Sequence, residues 1–250
     1  MSFGRPWLAW LWLLGFVAAP LVMLGVVALS VPADGIPPFR PAVSMEGLEG
    51  LADPLFLDGL IGSLRISLTT SMLCLLIGYP MTLGIVRSKR PAFWLGLLLV
   101  PFWSGFLMRL TAWTLLLREL NVLHTELAMQ IGMVSCYLPF LILPLQSRMA
   151  AADPLLAQAA ADLGASPFRV FLHITLPHSL PGVVAGVVLV FVPVMGEYVI
   201  PELLGDPGAQ TFGRMIWDAF FSERDWPLAA SLSLALLVIL VPPALLLRRR

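Results

Sequence analysis

The stretch WLAWLWLLGFVAAPLVMLGVVAL, residues 7–29, contains no charged side chain. A helix of about 20 apolar residues crosses the hydrocarbon core of a bilayer, which is about 30 Å thick, so this stretch is long enough to span a membrane. Five further apolar blocks follow it along the chain. The six predicted transmembrane helices cover residues 7–29, 60–86, 93–117, 127–145, 181–200 and 228–247.

The composition also indicates a membrane protein. Of the 250 residues, 59% are hydrophobic and 12% are charged, with a mean hydropathy of +0.91, whereas about 25% of the residues of a soluble domain are charged. Only helices and closed barrels satisfy their backbone hydrogen bonds in lipid, and these long apolar runs lack the alternation of barrel strands. The sequence therefore predicts an all-α polytopic membrane protein with a single transmembrane domain over residues 1–250.

Charge distribution orients the predicted helices. Basic residues that flank transmembrane helices stay in the cytoplasm, and here they fall in alternate connections: Arg5, Arg87, Lys89, Arg90, Arg148, Arg169, Arg248, Arg249 and Arg250. The other connections are mainly acidic: Asp34, Glu46, Glu49, Asp53 and Asp58, and later Glu202, Asp206, Asp218, Glu223 and Asp225. This pattern predicts that both termini are cytoplasmic. Ala28 and Ser30 would suit a signal-peptide cleavage site, but the first block is long for one, so we expect it to be retained.

Several kinds of chemistry are missing from the chain. Its one lysine, Lys89, lies outside any phosphate-binding loop, so the chain is not predicted to be its own ATPase. The histidines His124, His173 and His178 do not form a metalloprotease motif. We therefore expect neither an enzyme nor a metal site. A net charge of zero argues against a nucleic-acid partner, and both cysteines, Cys74 and Cys136, lie in apolar blocks as buried thiols would.

The connection at residues 148–180 has the signals of two short helices. Asp153 can cap a helix that begins at Pro154, and Gly164 can end it in the left-handed conformation. Ser166 and Pro167 repeat the same start for a second helix. Prolines at positions 177 and 181 predict that this second helix ends before the fifth span. The sequence thus predicts a helix-turn-helix, with a merely amphipathic loop as the alternative.

The run QAAADLGASPFRVFLHITLP, residues 158–177, resembles the EAA loop of ABC-transporter permeases. That loop has the pattern E-A-A, a glycine four residues after the second alanine, and then I-x-L-P. The matching residues are Ala159, Ala160, Gly164, Ile174, Leu176 and Pro177. The segments VPFW (100–103), YLPF (137–140), MGEYVIPELLG (195–205) and RDWP (224–227) resemble the spermidine/putrescine permease subfamily, in particular the first of its two permeases.

This resemblance implies a set of partners and a coupling site. A separate ATP-binding subunit, acting as a dimer with ATP and Mg, docks on the EAA loops of two permease subunits, and a periplasmic binding protein delivers the solute. The implied ATPase-coupling residues are Gln158, Ala159, Ala160, Asp162, Gly164, Ala165, Arg169, Ile174, Leu176 and Pro177. Two features depart from the family: Gln158 replaces the usual glutamate, and the connection at 118–126 is short.

Ionisable residues inside the apolar blocks are candidates for the solute path, because they are costly in lipid and usually face the bundle interior or water. Glu197 can bind an ammonium group, and Tyr198 and Trp103 offer aromatic faces to cations. Arg109 is the fourth candidate; alternatively, Arg109 and Glu197 form a structural ion pair. The other functions left open are an ABC permease for a metal complex or another organic cation, an ion-coupled secondary carrier, and a purely structural membrane subunit.

Overall fold

A computed structural model describes residues 6–246. Arg5 and Arg248 to Arg250, which contribute to the predicted orientation, lie outside the described residues. The helices and strands are α1 (Pro6–Ala28), β1 (Val31–Pro32), β2 (Phe39–Arg40), α2 (Glu46–Glu49), α3 (Pro54–Arg87), α4 (Pro91–Trp103), α5 (Phe106–Glu119), α6 (Glu126–Ala150), α7 (Pro154–Asp162), α8 (Pro167–Val170), α9 (Leu176–Met195), α10 (Val199–Leu204), α11 (Phe212–Trp217) and α12 (Trp226–Leu246). A 3₁₀ turn covers Gly50–Ala52, and π turns cover Phe171–Thr175 and Asp218–Ser222.

Several helices of the described chain are long enough to cross a membrane. Four of them, α1, α3, α6 and a helix over Pro167–Met195, are sufficiently long and apolar, and α4 with α5 would make a fifth span if the bent pair counts as one. In α12 the described apolar part is Trp226–Val241. Large apolar side chains such as Trp10, Met72 and Leu76 are exposed on these helices, as expected for surfaces that face lipid. The prediction of an all-α polytopic membrane protein is confirmed.

The third predicted span is not one straight helix. Residues 93–117 were expected to be continuous, but α4 and α5 meet at an angle of 88°. Ser104 and Gly105 separate them, both with extended backbone. The Ser104 hydroxyl donates to the Pro101 carbonyl at 2.7 Å. Such serine and glycine pairs are a common cause of sharp kinks, because side-chain bonding replaces the helical ladder.

The helix around the fifth predicted span, residues 181–200, differs from the expected one at both ends. Pro177 and Pro181 do not separate the second short helix from the span, since the helix runs from Pro167 to Met195. A π turn at Phe171–Thr175 accommodates the change, with the Leu176 N–H bonded to the Phe171 carbonyl. This wider turn shifts the carbonyls that a proline ring would otherwise meet. At the other end the helix stops at Met195, five residues before the predicted limit.

The chain divides into two compact units. The first contains the described residues up to Ile61 together with Gln210–Pro243. Its core is formed by Phe56, Phe212, Ala219, Ala229 and Leu232, and the Phe56 and Phe212 rings meet edge to face with centroids 5.2 Å apart.

The second unit, which includes Gly62–Ala209, contains both candidate sites. Its centre is α6, which packs along α9. A Cβ on Gly186 would lie 2.8 Å from the Leu141 carbonyl oxygen, so glycine permits the close approach of these two helices. Between α3 and α6, the Gln130 side chain donates to Thr69 at 2.9 Å and accepts from Thr70 at 2.8 Å. These bonds satisfy a buried amide within an apolar bundle.

Candidate functional site

The segment between α6 and α9 folds as the predicted helix-turn-helix. The Asp153 carboxylate accepts from the Leu155 N–H at 2.9 Å and caps α7, with Pro154 at the first helical position. The Ser166 hydroxyl accepts from the Arg169 N–H at 3.4 Å and caps α8. Both predicted caps are confirmed, because the acidic or hydroxyl side chain precedes a proline whose missing N–H needs no partner.

The turn after α7 is a Schellman motif, which closes the end of a helix with two backbone bonds. The Ala165 N–H bonds the Ala160 carbonyl at 3.0 Å, and the Gly164 N–H bonds the Ala161 carbonyl at 2.9 Å. Gly164 has a φ of +83°, so its predicted left-handed conformation is confirmed. The EAA-like alanines therefore lie at the end of α7 whose carbonyls close this turn.

An apolar surface is exposed on both sides of the turn. Leu163 is 89% exposed and Phe168 is 68% exposed. On α7 itself, Leu155, Gln158 and Asp162 are exposed and share one face, since they are three and four residues apart. Exposed large apolar side chains that lie close together are typical of a protein or membrane contact. The helix-turn-helix thus presents exposed apolar side chains on both sides of its turn.

The remaining coupling candidates connect this element to the long helices. Arg169 lies in α8, Ile174 lies in the π turn, and Leu176 and Pro177 begin α9. A cavity of about 520 Å³ lies beneath α7, and its lining includes Ile174 and Ala157. Because α8, the π turn and α9 form one helix, no loop separates the turn from the long apolar helix over Pro167–Met195.

The second candidate site is a break between α9 and α10. Met195 ends α9, Gly196 follows as its C-cap, and Val199 begins α10. Glu197 lies in the break and is half-buried. One of its carboxylate oxygens, Oε1, accepts from the N–H of Val199 at 2.9 Å and from the N–H of Ile200 at 3.4 Å. Glu197 thereby caps the first turn of α10.

The other oxygen of Glu197, Oε2, accepts a hydrogen bond from the hydroxyl of Tyr137 on α6. Cys136, the neighbour of Tyr137 on α6, lies near both Arg109 and Glu197. Among the described residues no ion pair joins Arg109 to Glu197. The structural pair considered from the sequence is therefore absent, because Glu197 is occupied by Tyr137 and backbone donors.

Arg109 instead bridges the bend between α4 and α5. Its Nη1 donates to the Pro101 carbonyl at 3.2 Å, and its guanidinium carbon lies 5.4 Å from the centroid of the Phe102 ring. Phe102 contacts Phe140, which in turn contacts Tyr137. A row of aromatic rings on α4 and α6 therefore runs from Arg109 to the residue that holds Glu197.

The two aromatic candidates occupy different positions. Tyr198 is half-buried and immediately precedes α10 beside Glu197. Trp103 ends α4 and is 90% exposed. The structure thus brings Glu197 and Arg109 close to adjacent residues of α6, Tyr137 and Cys136. Tyr198 is near this region only as the chain neighbour of Glu197, and the Trp103 side chain is largely uncovered.

Sequence reasoning missed three residues of these sites. Tyr137 belonged to the YLPF segment, but nothing in its local pattern pointed to Glu197, which is 60 residues away. Leu163 and Phe168 flank the predicted turn, but the caps and the glycine that predicted the turn did not single them out. Their apolar character beside a glycine and a capping serine is the signal that would have marked an exposed contact.

Together, the long apolar helices define a multi-pass helical membrane protein, and a capped, exposed helix-turn-helix follows α6. The chain belongs to the family of inner-membrane components of binding-protein-dependent transport systems, which matches residues 81–249. It is therefore a multi-pass inner-membrane protein.

Curated relatives extend the similarity over nearly the whole chain. The spermidine/putrescine transport system permease protein PotB of Haemophilus influenzae is 33% identical, with 92% of this chain and 86% of that protein covered. PotB of Escherichia coli is 31% identical, with 92% and 90% covered. The molybdenum transport system permease protein ModB of Mycobacterium bovis is 28% identical, with 76% and 74% covered.

Solved structures support the fold. A bacterial ABC transporter involved in the import of alginate has a TM-score of 0.69 at 13% identity, with 100% of this chain and 98% of that chain covered. The inward-facing MetNI methionine ABC transporter has a TM-score of 0.66 at 14% identity, with 78% and 94% covered. At these identities the likeness concerns the fold alone.

Proposed function

We propose that this chain is one permease subunit of an ABC importer for a polyamine such as spermidine or putrescine. The similarity to PotB over 92% of the chain supports this solute class. The chain forms half of the translocation path, and a second permease subunit forms the other half within the membrane lipid. A periplasmic binding protein delivers the solute. ATP and Mg are used by a separate ATPase dimer.

The exposed helix-turn-helix carries this proposal. It is cytoplasmic, as are both termini, and the ATPase docks on α7, the turn and α8. Leu163 and Phe168 supply apolar contacts, and the fixed turn at Gly164 sets the angle between the two helices. Movement of the ATPase then reaches the long helix over Pro167–Met195 without an intervening loop.

Gln158 gives this docking a weaker polar contact than the glutamate usual in the family. Its amide is neutral, and a neutral hydrogen bond is about half as strong as one to a charged group. We expect a Gln158→Glu variant to bind the ATPase more tightly, provided that the ATPase presents a basic residue opposite this position.

Glu197, Tyr198, Arg109 and Trp103 line the proposed solute path. An acidic side chain at a helix break inside a membrane bundle is typical of a cation-binding position. Tyr198 and Trp103 offer aromatic faces to the same cation. Arg109 contributes a positive charge near Cys136, and this charge disfavours a second cation there.

Reconstitution tests the proposed function directly. Proteoliposomes containing both permeases and the ATPase, supplied with binding protein and ATP, should accumulate labelled spermidine, and omission of any one component should abolish uptake. Uptake by this chain alone in a proton or sodium gradient would favour a secondary carrier. ATP-dependent uptake of a metal complex without uptake of spermidine would replace the proposed solute.

Charge and reach at position 197 can be tested separately. Glu197→Gln removes the charge, whereas Glu197→Asp keeps it on a shorter side chain. If the charge binds the solute, uptake should fall more for Gln than for Asp, while both variants still assemble with the ATPase. Unaltered spermidine kinetics in Glu197→Gln would remove Glu197 from the solute path.

A further inference from the structure

A single helix, α6, supports both halves of the broken helix formed by α9 and α10. Gly186 of α9 packs against the Leu141 backbone. On the other side of the break, Ile200 and Leu204 of α10 pack on Gly132, where a Cβ would lie 2.4 Å from Leu204 Cδ1. Helix α6 therefore packs against both helices that flank the break.

Tyr137 lies on α6 between these two contact regions. It is 9% exposed, and its hydroxyl donates to Glu197 Oε2. The same carboxylate uses Oε1 to cap Val199 and Ile200. Ile200 is fully buried, so its N–H has no ready replacement partner in water. The Tyr137 hydroxyl therefore fixes the carboxylate that closes the first turn of α10.

We propose that Tyr137 is a positioning residue for the solute path, which holds Glu197 at the helix break so that its charge stays in place and α10 stays capped. The effect of Tyr137 on solute binding rests on the proposed function, whereas its effect on the cap of α10 does not. Without the phenol hydroxyl, the Glu197 side chain can rotate about its flexible bonds, and both the charge and the cap become less well fixed.

The first arm of the test does not depend on the solute. Hydrogen exchange is measured over residues 196–204 of the assembled importer. Tyr137→Phe should raise exchange there by about tenfold, as expected for loss of one hydrogen bond to a charged group. Tyr79→Phe is the matched control, because its hydroxyl also joins two helices, through Ser179 at 3.0 Å, but far along the chain from Glu197. It should leave this segment unchanged.

The second arm measures uptake. Tyr137→Phe should raise the half-saturation concentration for spermidine about tenfold, with the maximal rate changed less than about twofold, and Tyr79→Phe should change neither. In a Glu197→Gln background, Tyr137→Phe should have little further effect, because its action runs through the carboxylate. A merely structural role would instead lower the maximal rate or the yield of assembled importer equally in both backgrounds.

The outcomes distinguish a failure of the positioning role of Tyr137 from a failure of the proposed solute. Unchanged exchange over residues 196–204 in Tyr137→Phe would overturn the positioning role, as would equal effects of Tyr137→Phe with and without Glu197. If the wild-type importer takes up no spermidine, the proposed solute is wrong, and the exchange arm alone then supports or overturns the role of Tyr137.

Discussion

Substitution of Gly164 by valine tests whether the turn between α7 and α8 sets the geometry of docking. The φ of Gly164 is +83°, and a Cβ there meets no heavy atom within 4 Å. Packing therefore adds no penalty, and the cost is conformational. A side chain in the left-handed region costs about 1–2 kcal/mol, which reduces the population of the native turn by a factor of about 5–30.

The expected result is weaker docking without loss of membrane insertion. Gly164→Val should lower both ATPase co-purification and ATP-driven uptake, whereas Gly164→Asn should preserve most of both, because asparagine adopts the left-handed conformation more readily. Gly84→Val is a second control, since a Cβ at Gly84 also meets nothing within 4 Å and its φ is not positive. If valine and asparagine at position 164 behave alike, the reasoning from backbone conformation is refuted.

Two further predictions follow from orientation and packing. Single cysteines at Ser166 and Glu49 should be labelled from the cytoplasmic and periplasmic sides, respectively, and labelling of both from one side would contradict the six-span topology. Gly186→Leu should lower the free energy of unfolding of the detergent-solubilised protein by about 1–3 kcal/mol, because its Cβ would lie 2.8 Å from the Leu141 carbonyl oxygen. Gly84→Leu is the control, and equal losses in the two variants would show that the close approach of α6 and α9 does not matter.

The helix-turn-helix was predictable because its signals are local. The caps at Asp153 and Ser166 and the left-handed Gly164 each depend on the chemistry of a few adjacent residues. Apolar length likewise identified α3 and α6, since a bilayer-spanning helix requires little information beyond hydropathy.

The breaks in the helices were harder to predict. Prolines 177 and 181 were expected to keep the second short helix separate from the fifth span. A π turn just before Pro177 accommodates this proline instead, and the helix continues. Conversely, residues 93–117 looked continuous but bend by 88° at Ser104 and Gly105. In each case the outcome depends on which backbone carbonyls find other donors, and hydropathy does not contain that information.

The hydrogen-bond partners of the Glu197 carboxylate could not be predicted from the sequence, for a related reason. Arg109 was a plausible partner by charge, but Tyr137 and the α10 backbone occupy the carboxylate. Which of these groups reaches Glu197 depends on how α6 lies along the break, and that arrangement comes from close packing at Gly132 and Gly186.

The central claim is that a separate ATPase docks on α7, the turn and α8, and site-specific photo-crosslinking in the assembled importer tests it most directly. A photoreactive residue at position 168 should give an adduct with the ATPase, because Phe168 is 68% exposed beside the turn. The same residue at position 72, where Met72 is 71% exposed on the long helix α3, should give none. Absence of an ATPase adduct from position 168, or an equal yield from position 72, would contradict the account.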